Sequence, residues 1–237
     1  MSKTPTSRHD GRSDSGADIW FLLDRSGSMS SIAGDVVRGF DRFFEEQRKQ
    51  GGDATVTIVQ FDSEDPHDVI VKSKPLAKIR SIGDRFEPRG GTPLYDAIGL
   101  LLDRAGRRVA RHGGDAADQL VVVFTDGMEN ASSDWTQKKL FARISKLRSA
   151  GWTFVFLGAN QDSYEAGAGL AMAAGNVSNF RADSGGTAAA YAGLSRTVGE
   201  WRSKARPERR RDVDDFWAGR KEAEQVEQAE RAPRPPR

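Results

Sequence analysis

Three short segments carry the side chains that could do chemistry: Asp24-Arg25-Ser26-Gly27-Ser28, Gly90-Gly91-Thr92-Pro93 and Thr125-Asp126-Gly127. Asp24, Ser26, Ser28, Thr92 and Asp126 together offer two carboxylates and three hydroxyls, with no imidazole and no thiolate. An all-oxygen set suits a hard cation, Mg²⁺ or Mn²⁺ ahead of Ca²⁺, and argues against zinc or copper. Mg²⁺ wants six ligands and usually keeps several waters. Hydroxyls plus one or two carboxylates cannot fill an octahedron, so waters complete it and at least one exchangeable position faces solvent. An ion with so few anionic ligands stays electrophilic and can recruit a carboxylate from elsewhere. Each segment alone is weak, because Ser and Asp populate turns and caps for structural reasons. Their coincidence at three strand or helix ends is what carries weight.

The elements that must position these segments follow from periodicity. Ile19–Leu23 is an apolar run without alternation, too short for a helix, and reads as a central strand covered on both faces. Ile32, Val36, Val37, Phe40, Phe43 and Phe44 recur at helical spacing, and Gly51-Gly52 stops that helix. Val56–Phe61 is a second strand, and Val69–Val71, after Asp65-Pro66, is placed at an edge. Thr92 reads as an N-cap and Pro93 as the first helical residue. Leu94, Ala97, Ile98, Leu101, Leu102, Ala105 and Val109 then form a buried stripe. Leu120–Phe124 and Trp152–Leu157 are further buried strands, separated by a helix with Leu140, Phe141, Ile144 and Leu147 inward. A short helical stretch, a weak strand near Val177 and a last helix carrying Tyr191, Leu194, Val198 and Trp201 follow. Strands alternating with helices predict an α/β fold: a doubly wound, Rossmann-like, mostly parallel sheet with one antiparallel edge strand, flanked by helices. In such a sheet ligands bind at the carboxyl ends of strands where the strand order reverses. If the first and fourth strands are neighbours, Asp24 and Asp126 face each other across that crevice.

Asp24-Arg-Ser26-Gly-Ser28, Thr92 and Asp126 resemble the metal-ion-dependent adhesion site of von Willebrand factor A domains, with all five positions in the family's order. The resemblance covers roughly residues 17 to 203 and is nearest to compact bacterial single-domain members. It implies that Asp24, Ser26 and Ser28 sit in or near the first coordination shell. It implies too that Thr92 ligates directly in an open state and that Asp126 acts through water. In the family the vacant position takes an Asp or Glu of a partner protein, and a mobile last helix couples occupancy to shape.

The remaining sequence bounds these expectations. There is no cysteine, which removes disulfides, thiolate zinc sites and cysteine nucleophiles. The 36 basic and 34 acidic residues nearly balance, so overall charge predicts no nucleic-acid partner. Only the basic stretch 202–211 could touch one, and Asp212, Asp214 and Asp215 follow it at once. The first residues lack an apolar signal region, and no run approaches the ~18 apolar residues of a membrane span. The expected location is cytoplasmic. Residues 1–16 read as a disordered tail, 17–203 as the domain and 204–237 as a charged, Pro-containing tail in which Phe216-Trp217 docks back or binds a partner. Arg25, Met29, Arg89, Glu129, Asn130 and Asp162 are expected around the site's rim, with the arginines favouring an acidic partner. His9, His67 and His112 are expected to be exposed.

The function expected is a non-enzymatic, cation-dependent protein-binding module. An Mg²⁺-dependent phosphotransferase or phosphatase using Asp24 is the alternative, although the place for its second acid, two residues on, is Ser26. A serine hydrolase lacks the Gly-x-Ser-x-Gly elbow and a placed histidine. Assembly through the C-terminal tail is the other alternative.

Overall fold

The structure is a computed structural model that describes residues 16–113, 116–159, 162–221 and 224–225. The expected N-terminal tail apart from Gly16, including His9, and the chain from 226 onward lie outside the described residues.

Six strands form one sheet: β1 (Ala17–Asp24), β2 (Ala54–Phe61), β3 (Asp68–Pro75), β4 (Asp118–Thr125), β5 (Thr153–Gly158) and β6 (Val177–Asn179). Their order is β3-β2-β1-β4-β5-β6, parallel throughout except for the antiparallel pair β2–β3 at one edge. The expected fold class is therefore the observed one. Every residue of β1, β4 and β5 is buried, which is why those segments show no polar alternation.

The helices are α1 (Ala33–Lys49), α2 (Leu94–His112), α3 (Gln137–Ser149), α4 (Ser163–Gly169), α5 (Ser184–Ser203) and α6 (Arg206–Arg211). Strand alternation splits the core into two halves. Ile19, Phe21 and Leu23 meet apolar residues of α1 and α5, whereas Trp20 and Leu22 meet those of α2 and α3. Phe21 lies edge-on to Phe40 and Phe43, with ring centroids 5.2 and 5.3 Å apart. Gly39 lets α5 approach α1, because a Cβ there would sit 2.2 Å from the Tyr191 ring. The α3 stripe is narrower than expected: Leu140 and Ile144 are buried, but Phe141 is 47% exposed. One residue beyond Leu140 lies about 100° further round the helix, off the single seam that α3 packs.

The segment from 204, expected as a tail, packs on the domain as far as 221. The Arg209 side chain is 1% exposed, lies 3.2 Å from Asp118 and stacks over the Trp201 ring. Arg206 also pairs with Asp118, at 2.9 Å, and Lys204 with Asp212, at 2.7 Å. Phe216 and Trp217 are buried in the α1–α5 half of the core, so they dock. Composition hid this, because two aromatics and one buried, paired arginine suffice to anchor a polar segment. From Trp217 the chain bonds to the turn before β6 and to the last residue of β6. Trp217 N–H donates to Gly175 O, the Lys221 ammonium to Ala174 O, and the Glu224 carboxylate accepts from Asn179 N–H. At the other edge β3 ends in Lys72, Ser73, Lys74 and Pro75, with Ser73 at φ 46°.

His112 is exposed, as expected, but His67 is half-buried. The His67 ring accepts a 2.9 Å hydrogen bond from Arg104, and burial together with that cation holds its pKa below the ordinary value.

Candidate metal centre

β1 pairs with β2 on one side and β4 on the other, so the strand order reverses at β1. Asp24 closes β1, Thr125 closes β4, and Asp126 follows at once. The crevice expected between them is present.

Asp24 is fully buried, and its two oxygens are engaged differently. Oδ1 accepts the Ser26 backbone N–H at 2.7 Å, which folds the loop back over the strand end. Oδ2 accepts the Thr125 hydroxyl at 2.5 Å. The Ser28 hydroxyl donates to Asp126 Oδ1 at 2.6 Å and lies 3.1 Å from the Ser26 hydroxyl. Asp126 Oδ2 is buried with no hydrogen-bond partner. A Cβ added to Gly127 would stand 2.9 Å from Thr92 Oγ1, 3.4 Å from Ser28 Oγ and 3.5 Å from Asp24 Oδ2. Oxygens from the first two loops thus converge on one point beside the third, kept open by the missing side chain of Gly127. All five expected residues are brought together. Ser28 is exposed, so the cluster opens to solvent.

Burial pushes the Asp24 carboxyl up to about 6, against the hydrogen bonds from Thr125 and Ser26, and the Asp126 charge adds to the rise. Burial also raises Asp126, opposed by the Ser28 hydroxyl. Two carboxylates are thus held together without a cationic side chain on either, which is the electrostatic signature of a site that a cation would relieve. Among the described residues no group of three or more His, Cys, Asp and Glu side chains is placed to hold a metal. Here the hydroxyls must share the work, and that donor set fits a hard, partly hydrated ion.

The loops are locked by residues that sequence reasoning missed or misplaced. Arg25 and Met29 were expected on the rim, yet both are buried. Arg25 pairs with Asp62 at 2.6 Å and Asp68 at 3.1 Å, and Arg89 reaches the same Asp62 oxygen at 3.0 Å. Two backbone bonds, Arg89 N–H to Arg25 O and Gly27 N–H to Gly90 O, tie the same two loops. Burial would raise the Asp62 carboxyl. The backbone N–H groups of Asp65 and Glu64, with Arg89 and Arg25, outweigh it and hold the carboxyl below its usual range. Asp62 therefore fixes the distance between the Asp24 loop and the Thr92 loop. A signal for it existed: Asp62 follows the apolar run of β2 as Asp126 follows that of β4.

Thr92 is not the N-cap expected. The helix starts at Leu94, after Pro93, and no side chain of Pro93 caps it. The loop after β4 does that work. Tyr95 N–H donates to Glu129 and Ser132, and Asp96 N–H to Ser132. Asp96 in return accepts the backbone N–H groups of Ser133, Asp134 and Trp135. Asn130 accepts Thr92 N–H at 2.9 Å. Thr92 is thus positioned through its backbone, which leaves capping out of its hydroxyl's role.

Residues 19–129 match the sequence model of the von Willebrand factor type A domain. No curated protein matches the chain. Among solved structures, the chain is similar to proximal thread matrix protein 1 from the mussel byssus with a zinc-occupied MIDAS motif, at 16% identity and TM-score 0.54 over 78% of this chain and 46% of that one. It is similar to the vWF domain of the type V pili tip protein Mfa5 from Porphyromonas gingivalis, at 11% identity and TM-score 0.57 over 80% and 97%. It is also similar to the pilus adhesin SpaC from Lactobacillus rhamnosus GG, at 15% identity and TM-score 0.58 over 78% and 30%. The chain spans less than half the length of the mussel protein. These likenesses show the fold, which is that of von Willebrand factor type A domains, and the sequence match to that domain extends over residues 19–129.

Proposed function

We propose that this chain is a cation-dependent protein-binding module in which Asp24, Ser26, Ser28, Thr92 and Asp126 hold one divalent ion, Mg²⁺ or Mn²⁺, that accepts an Asp or Glu carboxylate of a partner. The observation that carries this reading is the convergence of Asp24, Ser28 and Thr92 oxygens on one point beside Gly127, next to a buried, unpartnered Asp126 oxygen. When bound, the cation supplies a Lewis-acid position for an incoming carboxylate. The chain does the rest. Asp24 and Asp126 provide the negative charge, the three hydroxyls provide neutral oxygens, and the Asp62 clamp keeps the loops at a fixed separation. With only two anionic ligands and three neutral hydroxyls, the chain just balances a divalent ion and leaves water to complete its shell, and that water is what a partner carboxylate would displace. The zinc in the mussel protein's MIDAS motif supports a divalent ion at such a site and widens the set of ions worth testing.

Calorimetric titration of Mg²⁺, Mn²⁺ and Zn²⁺ into the full chain tests the site. One-site binding is expected, lost in Asp24→Ala and weakened at least about tenfold in Gly127→Ala, whose methyl would fill the convergence point. Gly127 is not in the left-handed region, so alanine is tolerated by the backbone. Equal affinity in all three proteins would refute the assignment.

A further inference from the structure

A second feature adjoins the cluster and is not used by it. A cleft of about 320 Å³ lies between the start of α2, the loop after β4 and α4. A larger, polar cavity of about 710 Å³ lies elsewhere, between the end of α3 and Arg210–Asp214. Tyr95, Met128 and Leu170 give the smaller cleft apolar walls, and Glu129, Asp162 and Glu165 give it carboxylates. No Lys or Arg is among its lining residues.

Met128 is 64% exposed, the most exposed large apolar side chain among the described residues. An unbranched thioether on a loop suits adaptable contact with a partner. Two of the acids have structural work: Glu129 caps α2, and Asp162 caps α4. Glu165 is exposed, and no hydrogen bond or ion pair of its carboxylate is present among the described residues. Glu129 and Asp162 accept backbone N–H groups but meet no cationic side chain among the described residues, so the cleft keeps its negative charge.

We infer that this cleft takes a Lys or Arg side chain of the partner, close in sequence to the carboxylate that binds the cation. A Lys or Arg fits both halves of the lining, its aliphatic stem on Tyr95 and Met128 and its charged head toward Glu165 and Asp162. The inference rests on the cation-dependent reading above, because it is the ion that sets where the partner's acid lies. Tyr95 is three residues beyond Thr92 and Met128 two beyond Asp126, so the cleft begins within the reach of two or three residues, at most ~10 Å, of the convergent oxygens. One or two residues of extended peptide, about 3.3 Å each, together with the long stem of a Lys or Arg, span that gap. The partner motif is therefore an acid with a base one or two positions away. Such a motif is nearly neutral overall, so the site selects a charge pattern rather than bulk acidity.

The test is selection from a displayed library of short linear peptides with one fixed Asp and random flanks, against the full chain in Mn²⁺ and again in EDTA. Enrichment of Lys or Arg one or two positions from the Asp, in Mn²⁺ only, is the expected result. With a selected peptide, Glu165→Lys should weaken binding about fivefold and Met128→Ala should weaken it further, while Mn²⁺ affinity stays unchanged. Enrichment of Asp peptides without a basic preference would overturn this inference and leave the cation-dependent reading standing. Basic peptides captured equally in EDTA would keep the cleft as a cation-binding surface but break its link to the metal, and with it the inference as stated. No selection in either buffer would overturn both.

Discussion

At the scale of single residues, Asp24 carries the most exposed piece of physics. Its carboxyl belongs near 3.8 when free and is raised to about 6 by burial. The folded protein therefore holds more protons than the unfolded chain between those values. Stability of the metal-free protein should fall as pH rises through that window, by about 3 kcal/mol from this group. The comparison to make is denaturant unfolding of the wild type and Asp24→Asn from pH 4 to 7 in EDTA. The wild type is expected to lose ground steadily against the variant, and parallel curves would show that the carboxyl is not strained. Metal affinity should run the other way, rising with pH up to about 6 and levelling off above it, because an ion competes with that proton. The five candidate ligands were all legible in the sequence, since each loop carries its own short motif. Thr125 was not, although its hydroxyl meets Asp24. A threonine at the end of a buried strand has no spacing that separates a hydrogen-bond donor from an ordinary β-former. Arg25 and Met29 were misplaced for a related reason. Proximity to a loop says nothing about whether a side chain turns inward, and Arg25 turned to a carboxylate 37 residues away.

At the scale of elements, the site depends on loops held by contacts distant in sequence. Asp62 ties the loop after β1 to the loop before α2, and Asp96 ties α2 to the loop after β4. Removing the charge in Asp62→Asn leaves Arg25 buried with only Asp68 nearby. Breaking a buried pair in this way costs about 3–5 kcal/mol. The same change should lower Mn²⁺ affinity, since Thr92 is no longer held against the Asp24 loop. Denaturant unfolding and calorimetry on one preparation separate the two effects. A destabilised protein with unchanged affinity would make Asp62 a stability element only. The strands and helices themselves were readable because fully buried strands and amphipathic helices write their periods into the sequence. The start of α2 was read one residue early because Thr-Pro is an ordinary capping signal. The cap comes instead from Glu129 and Ser132, which no local pattern near residue 92 could reveal.

At the scale of the whole molecule, the domain does not end where composition changes. Trp217 is buried against the same half of the core as α1 and α5. Trp217→Ala should cost about 3–5 kcal/mol, the usual range for a buried aromatic, and lower the melting temperature by several degrees. A change of less than about 0.5 kcal/mol would mean that the segment rests on the domain without supporting it. The docking also accounts for much of the basic stretch, because Arg202, Lys204, Arg206 and Arg209 bond within the chain. The same segment bonds to the end of β6 through Glu224, while β3 carries two lysines, a left-handed serine and a proline at the opposite edge. Each rim thus carries features that discourage another strand from pairing there. Copies of this domain crowded side by side are therefore guarded against pairing edge to edge through their sheets. On the cation-dependent reading proposed above, adhesion belongs to the ends of the strands, where an ion would switch it.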